Sequence, residues 1–266
     1  MKPSVKYLLI IFTIIFLSFI QQDKTERLII KTRLDYFAID NIGNIYTVKD
    51  EELVKYLPTG KFFVRYSNLK LGNISTVDAT NPLKLLLYYR DFQQIVFLDD
   101  QLTENSESIS LEALGYEQTD QACAGANNSF WIYSKQNNEL VRFDENSKKV
   151  ASTGNLKQVL RTSDLSPNFM LEHNGYLFLN CPETGIYVFD IFGAFSKVIA
   201  IKNLKLFQVS ENIIYYKKDS ALCSYDYKIF EEACKQIFSG SKTTDLKFSK
   251  NKVYCGYKDS VVVRGL

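Results

Sequence analysis

The chain has 266 residues, with Tyr (17) and Phe (19) well ahead of Gly (12) and Pro (5), which excludes collagen-like and low-complexity disordered sequences. A formal net charge of +2 offers no electrostatic case for nucleic acid or an anionic surface, so neither is expected as a partner. At the amino end, Lys2 and Lys6 flank the start of an apolar run from Tyr7 to Ile20. A membrane-spanning helix needs about 20 apolar residues, and this run is shorter. A charged start followed by a short apolar stretch reads as a secretory signal over residues 1–20, with cleavage near Gln21 or retention as an amino-terminal anchor. No cysteine follows the run, which excludes a lipoprotein anchor. Residues 21–266 show no linker or composition break and are expected to form one domain.

Along that domain a unit recurs. Aliphatic–aromatic strands are centred on Ile45-Tyr46, Ile95-Val96-Phe97, Trp131-Ile132-Tyr133, Leu177-Phe178-Leu179, Ile214-Tyr215 and Val253-Tyr254, at steps of 50, 36, 46, 37 and 39 residues. The apolar alternation within them has period two, as in GNIYTVKD, which means strands and not helices. A second half-unit ends in an aromatic and an acid: ELVRFDE to Glu145, GIYVFDIFG to Gly193 and ALCSYDYK to Lys228, with the acids Asp144, Asp190 and Asp226 at matching points. The period predicts a six-bladed β-propeller, with five or seven blades as the neighbouring counts. The sixth blade lacks an outer strand after Val253-Tyr254. The segment Glu26 to Arg33 is expected to supply it by pairing with Val261 to Val263, which would close the ring and remove two open edges.

These repeats resemble the six-bladed propellers of the YWTD and NHL type, without a strict YWTD box or a WD40 signature. Composition and the weakly defined signal resemble exported proteins of Bacteroidota. The resemblance implies fold and little about chemistry.

The single histidine, His173, stands in LEHNGYLF at a turn that calls for residues tolerant of positive φ. Asp144, Asp190 and Asp226 recur at equivalent points and are expected to cap turns. Of the acids on the expected innermost strands, Asp40, Glu172 and Glu211 are the ones to test as channel ligands. Cys223 and Cys234 flank one hairpin and are the disulfide pair to test. Cys123, Cys181 and Cys255 are expected as buried thiols. No nucleophile elbow, zinc motif or phosphate loop occurs, so no catalytic residue, resident metal or cofactor is expected.

Two functions fit. The first is a non-catalytic scaffold binding another protein in a bacterial cell envelope, in the periplasm or at the outer membrane. By analogy this includes an accessory role in an outer-membrane or type 9 secretion complex. Membrane contact would then come only through residues 7–20, if uncleaved, or through a partner. The interface is expected in the Leu102 to Asp120 loop, which carries SLEALGYEQ. The second is a calcium-dependent, lactonase-like hydrolase or small-ligand binder using the central channel.

Overall fold

The computed structural model describes residues 28–236 and 243–265, so the expected signal or anchor lies outside the described residues. Strand β1 spans Leu28–Lys31. The first blade follows as β2 (Tyr36–Ile39), β3 (Ile45–Lys49), β4 (Glu52–Tyr56) and β5 (Phe62–Ser67). The second blade holds β6 (Thr76–Asp78), β7 (Leu85–Tyr89), β8 (Gln94–Leu98) and β9 (Ile109–Ser110). The third holds β10 (Thr119–Ala124), β11 (Phe130–Ser134), β12 (Glu139–Phe143) and β13 (Lys149–Ser152). The fourth is β14 (Phe169–His173), β15 (Tyr176–Cys181), β16 (Gly185–Asp190) and β17 (Phe195–Ile199). The fifth is β18 (Phe207–Ser210), β19 (Ile213–Lys218), β20 (Ala221–Asp226) and β21 (Glu231–Gln236). The last contains β22 (Asp245–Ser249), β23 (Lys252–Gly256) and β24 (Ser260–Gly265). Each is an antiparallel meander of four strands, and together they form a six-bladed propeller.

The sixth blade is completed by β1, whose Leu28, Ile29 and Ile30 pair with Val263, Val262 and Val261. The expected closure by the amino-terminal strand is what the ring uses. Apolar side chains of adjacent blades face each other in wedge-shaped layers. Tyr46, Leu85 and Tyr89 meet between the first two blades, and Phe97, Phe130 and Phe143 between the next two. Phe130 and Phe143 stack at 5.1 Å between ring centroids, a flat pair suited to the narrow gap.

In a four-stranded meander the first and third turns lie at one end and the second turn at the other. The ring therefore has a hairpin face, made of those first and third turns. Its opposite, the connection face, carries the second turns and the blade-to-blade links. On the hairpin face one five-residue turn is repeated. In Asp99–Thr103, Asp144–Lys148 and Asp190–Ala194 the first N–H donates to the fifth carbonyl, and the fourth N–H to the first carbonyl. The aspartate Oδ1 accepts from the third and fifth N–H groups at 2.8–2.9 Å. The fourth residue takes positive φ, at Leu102, Ser147 and Gly193. This is the three-residue hairpin loop with a left-handed bulge. At Gly193 an added Cβ would stand 3.0 Å from the Ser152 backbone carbon, so glycine also permits the close approach of two blades. Asp226 caps a variant of this turn through the N–H groups of Lys228 and Ile229. The recurring acids are structural caps, as their spacing suggests.

One strand reading is corrected. Ile95-Val96-Phe97 belongs to β8, the third strand of its blade, and the second strand is β7, LLLYY. All five β7 side chains are buried, so the strand shows no alternation to read. The inner strand β6 has only three residues. Among the described residues no helix is long and apolar enough to cross a membrane.

Closure by β1 makes a direct prediction. Deleting Glu26 to Arg33, or introducing an unpaired buried charge by Ile30→Asp, should destabilise the ring by roughly 3 kcal/mol or more and promote aggregation through the β24 edge. Urea denaturation and light scattering would show this; unchanged midpoints for both variants would remove β1 from the closure.

Candidate functional site

The inner strands of all six blades line a central cavity of about 320 Å³ that runs between the two faces. Its wall is largely apolar, with Phe37, Phe169, Met170, Leu171 and Phe207, and is punctuated by Asp78, Arg90, His173, Lys205 and Lys247. Lys247 is almost fully buried and pairs with Asp245 at 3.2 Å.

The three acids proposed from sequence do not come together. Asp40 sits at the first hairpin turn, 2 % exposed. Its Oδ1 accepts from the N–H groups of Ile42, Gly43 and Asn44, and its Oδ2 from Asn44 Nδ2 and Tyr46 Oη. Five donors on two oxygens make it a cap with no lone pairs to spare. Glu172 lies near the end of β14 and reaches into the neighbouring blade. Its Oε1 accepts from Ala126 N at 2.8 Å and its Oε2 from Trp131 Nε1 at 2.6 Å. Glu211 occupies the β18–β19 turn with φ +53° and an exposed side chain. Among the described residues, the trio of possible ligand groups lying within 4.8 Å of one another is Cys223, Glu232 and Cys234, on the outer strands of the fifth blade. The three candidate channel acids are therefore separate: Asp40 is fully engaged by five donors, while Glu172 accepts one N–H on each of its oxygens.

Glu172 belongs to a larger clasp at the hairpin-face mouth. Arg142, on β12, donates from Nε to Ser129 Oγ at 2.9 Å, from Nη2 to Ala126 O at 3.0 Å and from Nη1 to Ile191 O at 3.3 Å. Ser129 Oγ in turn donates to Ala126 O. The loop 125–129 is thus held by an acid from the fourth blade and a cation from its own. The tie to Ile191 O recurs elsewhere: Lys55 Nζ donates to Asp100 O at 2.6 Å, and Lys197 Nζ to Tyr227 O at 2.8 Å. In each case the acceptor is the carbonyl one residue after the capping aspartate of the next blade's turn.

Asp78 is an acid that the sequence reading missed. It ends the three-residue strand β6, accepts from Thr80 N and Thr80 Oγ1, and reaches Ala124 N of the third blade at 2.9 Å. Burial raises its pKa, against those hydrogen bonds, and the charge of Glu172 adds to the rise. The signal that could have found it is its place at the end of an inner strand, close to where Asp40 follows β2.

His173 is the last residue of β14, and the positive φ values fall on Asn174 and Gly175, the two central residues of the hairpin turn. Burial lowers its pKa, while the Glu211 backbone carbonyl works in the opposite sense. Cys123, Cys181 and Cys255 are buried thiols, and burial pushes Cys181 up to about 12 and Cys123 well above its usual value. Cys223 and Cys234 are direct cross-strand partners in β20 and β21 and are joined by a disulfide.

Two predictions arise from the clasp. Glu172→Gln keeps the shape but turns one acceptor into a donor facing a donor. The loss should be about 1–3 kcal/mol, and the emission of Trp131, the one tryptophan, should shift. A variant with native midpoint and native emission would show the clasp to be dispensable. For Asp78, the folded state holds the proton more tightly than the unfolded chain does. Its contribution to stability therefore grows as pH falls through the raised folded value and is lost as pH rises above it. Wild type should gain melting temperature relative to Asp78→Asn as pH falls from 7 toward the ordinary carboxylate value of 3.8; parallel curves would place the titration elsewhere.

No family model matches this chain, and no curated relative does. Among solved structures it is similar to the WD40 domain of Neurospora crassa Pan2, with TM-score 0.61 and 10% identity over 88% of this chain and 89% of that one. It is similar to virginiamycin B lyase from Staphylococcus aureus, with TM-score 0.57 and 12% identity over 86% and 79%. YCF48 bound to D1 peptide gives TM-score 0.54 and 9% identity over 92% and 98%. At such identities the likeness is one of fold: this chain is a six-bladed β-propeller.

Proposed function

We propose that this protein is a non-catalytic scaffold that binds another protein through its connection face. The observation that carries the reading is an apolar pair at the junction of the first two blades. Leu69 is 77% exposed, and Phe92, which packs on Gly72 of the same connection, is 50% exposed. Exposed Lys70, Arg90 and Asp91 surround them, which is an apolar centre in a polar rim. The rigid ring beneath supports this reading, since it holds loops of unequal length on one plane. The commitment of Asp40 to five internal hydrogen bonds supports it too, because that acid keeps no acceptor free for a substrate. YCF48, a propeller of similar fold, is seen with a peptide bound.

The Leu102 to Asp120 segment contributes less than its sequence suggests. Leu102, Leu111 and Tyr116 are buried in the layers on either side of the second blade, Ile109 and Leu114 are partly buried there, and the small Ala113 is left outside with polar groups such as Glu112 and Glu117. The finer reading is an exported accessory subunit of an outer-membrane or type 9 secretion complex, resting on the amino-terminal run and on analogy.

The alternative, catalysis or ligand binding in the channel, draws on the virginiamycin B lyase among the structures of similar fold. Affinity purification from the native envelope with mass spectrometry separates the two. The paired change Leu69→Asp and Phe92→Asp should reduce recovery of the partner about tenfold or more while leaving the melting temperature within 2 °C or so, as befits exposed positions. Undiminished recovery would refute the site. A calcium-dependent rise in melting temperature, lost in Glu211→Ala, would favour the channel instead.

A further inference from the structure

The hairpin face carries a different surface from the connection face. Single apolar side chains stand out from its turns: Ile42 in the first blade at 53% exposure, Leu83 in the second at 69%, Phe192 in the fourth at 72%, and Ile229 and Phe230 in the fifth at 62% and 68%. Four of the six blades thus present a tip, and the tips are spread around a ring instead of gathered in a groove. A flat, deformable apolar medium can receive all of them at once. Exposed lysines (Lys61, Lys148, Lys228, Lys250) alternate with exposed acids (Asp100, Glu145, Glu211, Glu231) on the same face, so its contact is not an electrostatic one.

A second, independent observation concerns where the chain enters. Leu28 begins β1 at the hairpin-face end, where its side chain packs against Gly60 in the first blade's outer turn; a Cβ on Gly60 would lie 2.6 Å from Leu28 Cδ1. The apolar run Tyr7 to Ile20 is joined to Leu28 by residues 21–27 alone. Seven residues reach at most about 25 Å when fully extended. If the run is held in a bilayer, the face that stands next to that bilayer is the one with the tips.

We propose that the hairpin face rests on a lipid bilayer, with Tyr7 to Ile20 retained as the anchor and with Ile42, Leu83, Phe192, Ile229 and Phe230 inserted at the depth of the headgroups. The partner surface described above lies on the opposite face and is independent of this contact. The arrangement turns that surface, and the connection-face mouth of the channel, away from the membrane.

The test uses the full chain in vesicles of phosphatidylethanolamine and phosphatidylglycerol. An environment-sensitive fluorophore is placed through Leu83→Cys, through Phe192→Cys, or through Lys157→Cys on the connection face as control. Lipids carrying a nitroxide near the headgroup should quench the first two at least about threefold more than the third, and 0.5 M salt should leave this unchanged. The combined change Phe192→Ser, Ile229→Ser and Phe230→Ser should reduce quenching at Leu83→Cys about twofold while the protein still sediments with the vesicles. Vesicle-bound protein with equal, weak quenching at all three sites would mean tethering without docking and would overturn the proposal. A membrane-isolated protein whose amino terminus begins near Gln21 would overturn it as well, because the anchor would be gone; loss of the protein partner bears on neither result.

Discussion

Four backbone pairs between β1 and β24 hold the ring shut. Every other blade is a local meander whose strands are joined by short turns, and each blade presses one face against each neighbour. That arrangement is stable only when it is continuous, since an open ring would bare an apolar face at each end as well as the unpaired edge of β24. The wedge layers, the shape of the channel and the separation of the two faces all presuppose this closure. The cation-to-carbonyl ties from Lys55, Arg142 and Lys197 reinforce it from blade to blade. Each satisfies a turn carbonyl that the hairpin itself leaves unpaired, and each does so from a side chain that is itself largely screened from water.

The blade period, the capping acids and the closing strand were legible in sequence because each leaves a local pattern. Alternation of period two marks a strand half in contact with its neighbour, and Asp-x-x-x turns repeat because one backbone geometry repeats. The second blade was not legible for the same physical reason in reverse. β7 is buried on both sides, so LLLYY alternates in nothing, and a three-residue β6 is too short to carry a pattern. The candidate site was legible as a set of acids but not as their roles. Whether Glu172 is a ligand or a clasp depends on Trp131 and Ala126, which belong to another blade and lie 41 and 46 residues away. Likewise SLEALGYEQ reads as an exposed loop of mixed polar and apolar residues, whereas Leu111 and Tyr116 fill a layer between blades. In a repeat fold the partner of a side chain is commonly one period away, beyond any local window.

Burial tunes the titratable groups of the interior in one direction. Burial raises the pKa of Tyr36, Tyr46, Tyr88 and Tyr89 and keeps the Cys123 and Cys181 thiols protonated at neutral pH. Of the cations on the channel wall, Arg90 donates to Asp120 O and Lys247 pairs with Asp245. The fifth blade differs, because its outer strand β21 is exposed along its whole length. There the disulfide between Cys223 and Cys234 closes a short loop, with a sequence separation of 11, and on the chain-entropy account contributes about 3 kcal/mol. The covalent link thus sits on the outer strand that has the least burial to hold it.

The closing strand also sets an order of events. A chain made from its amino end delivers β1 first and β24 last, with more than 200 residues between the partners. The entropy of closing so long a loop is met only once, at the end, when the five intervening blades have already shortened it. Until then Leu28 to Lys31 has no strand to pair with, and it waits beside the apolar run at the amino terminus. A ring built this way is vulnerable during its own synthesis and not after it. Its yield in the cell should depend on whatever shields that first segment during the seconds before the last blade emerges.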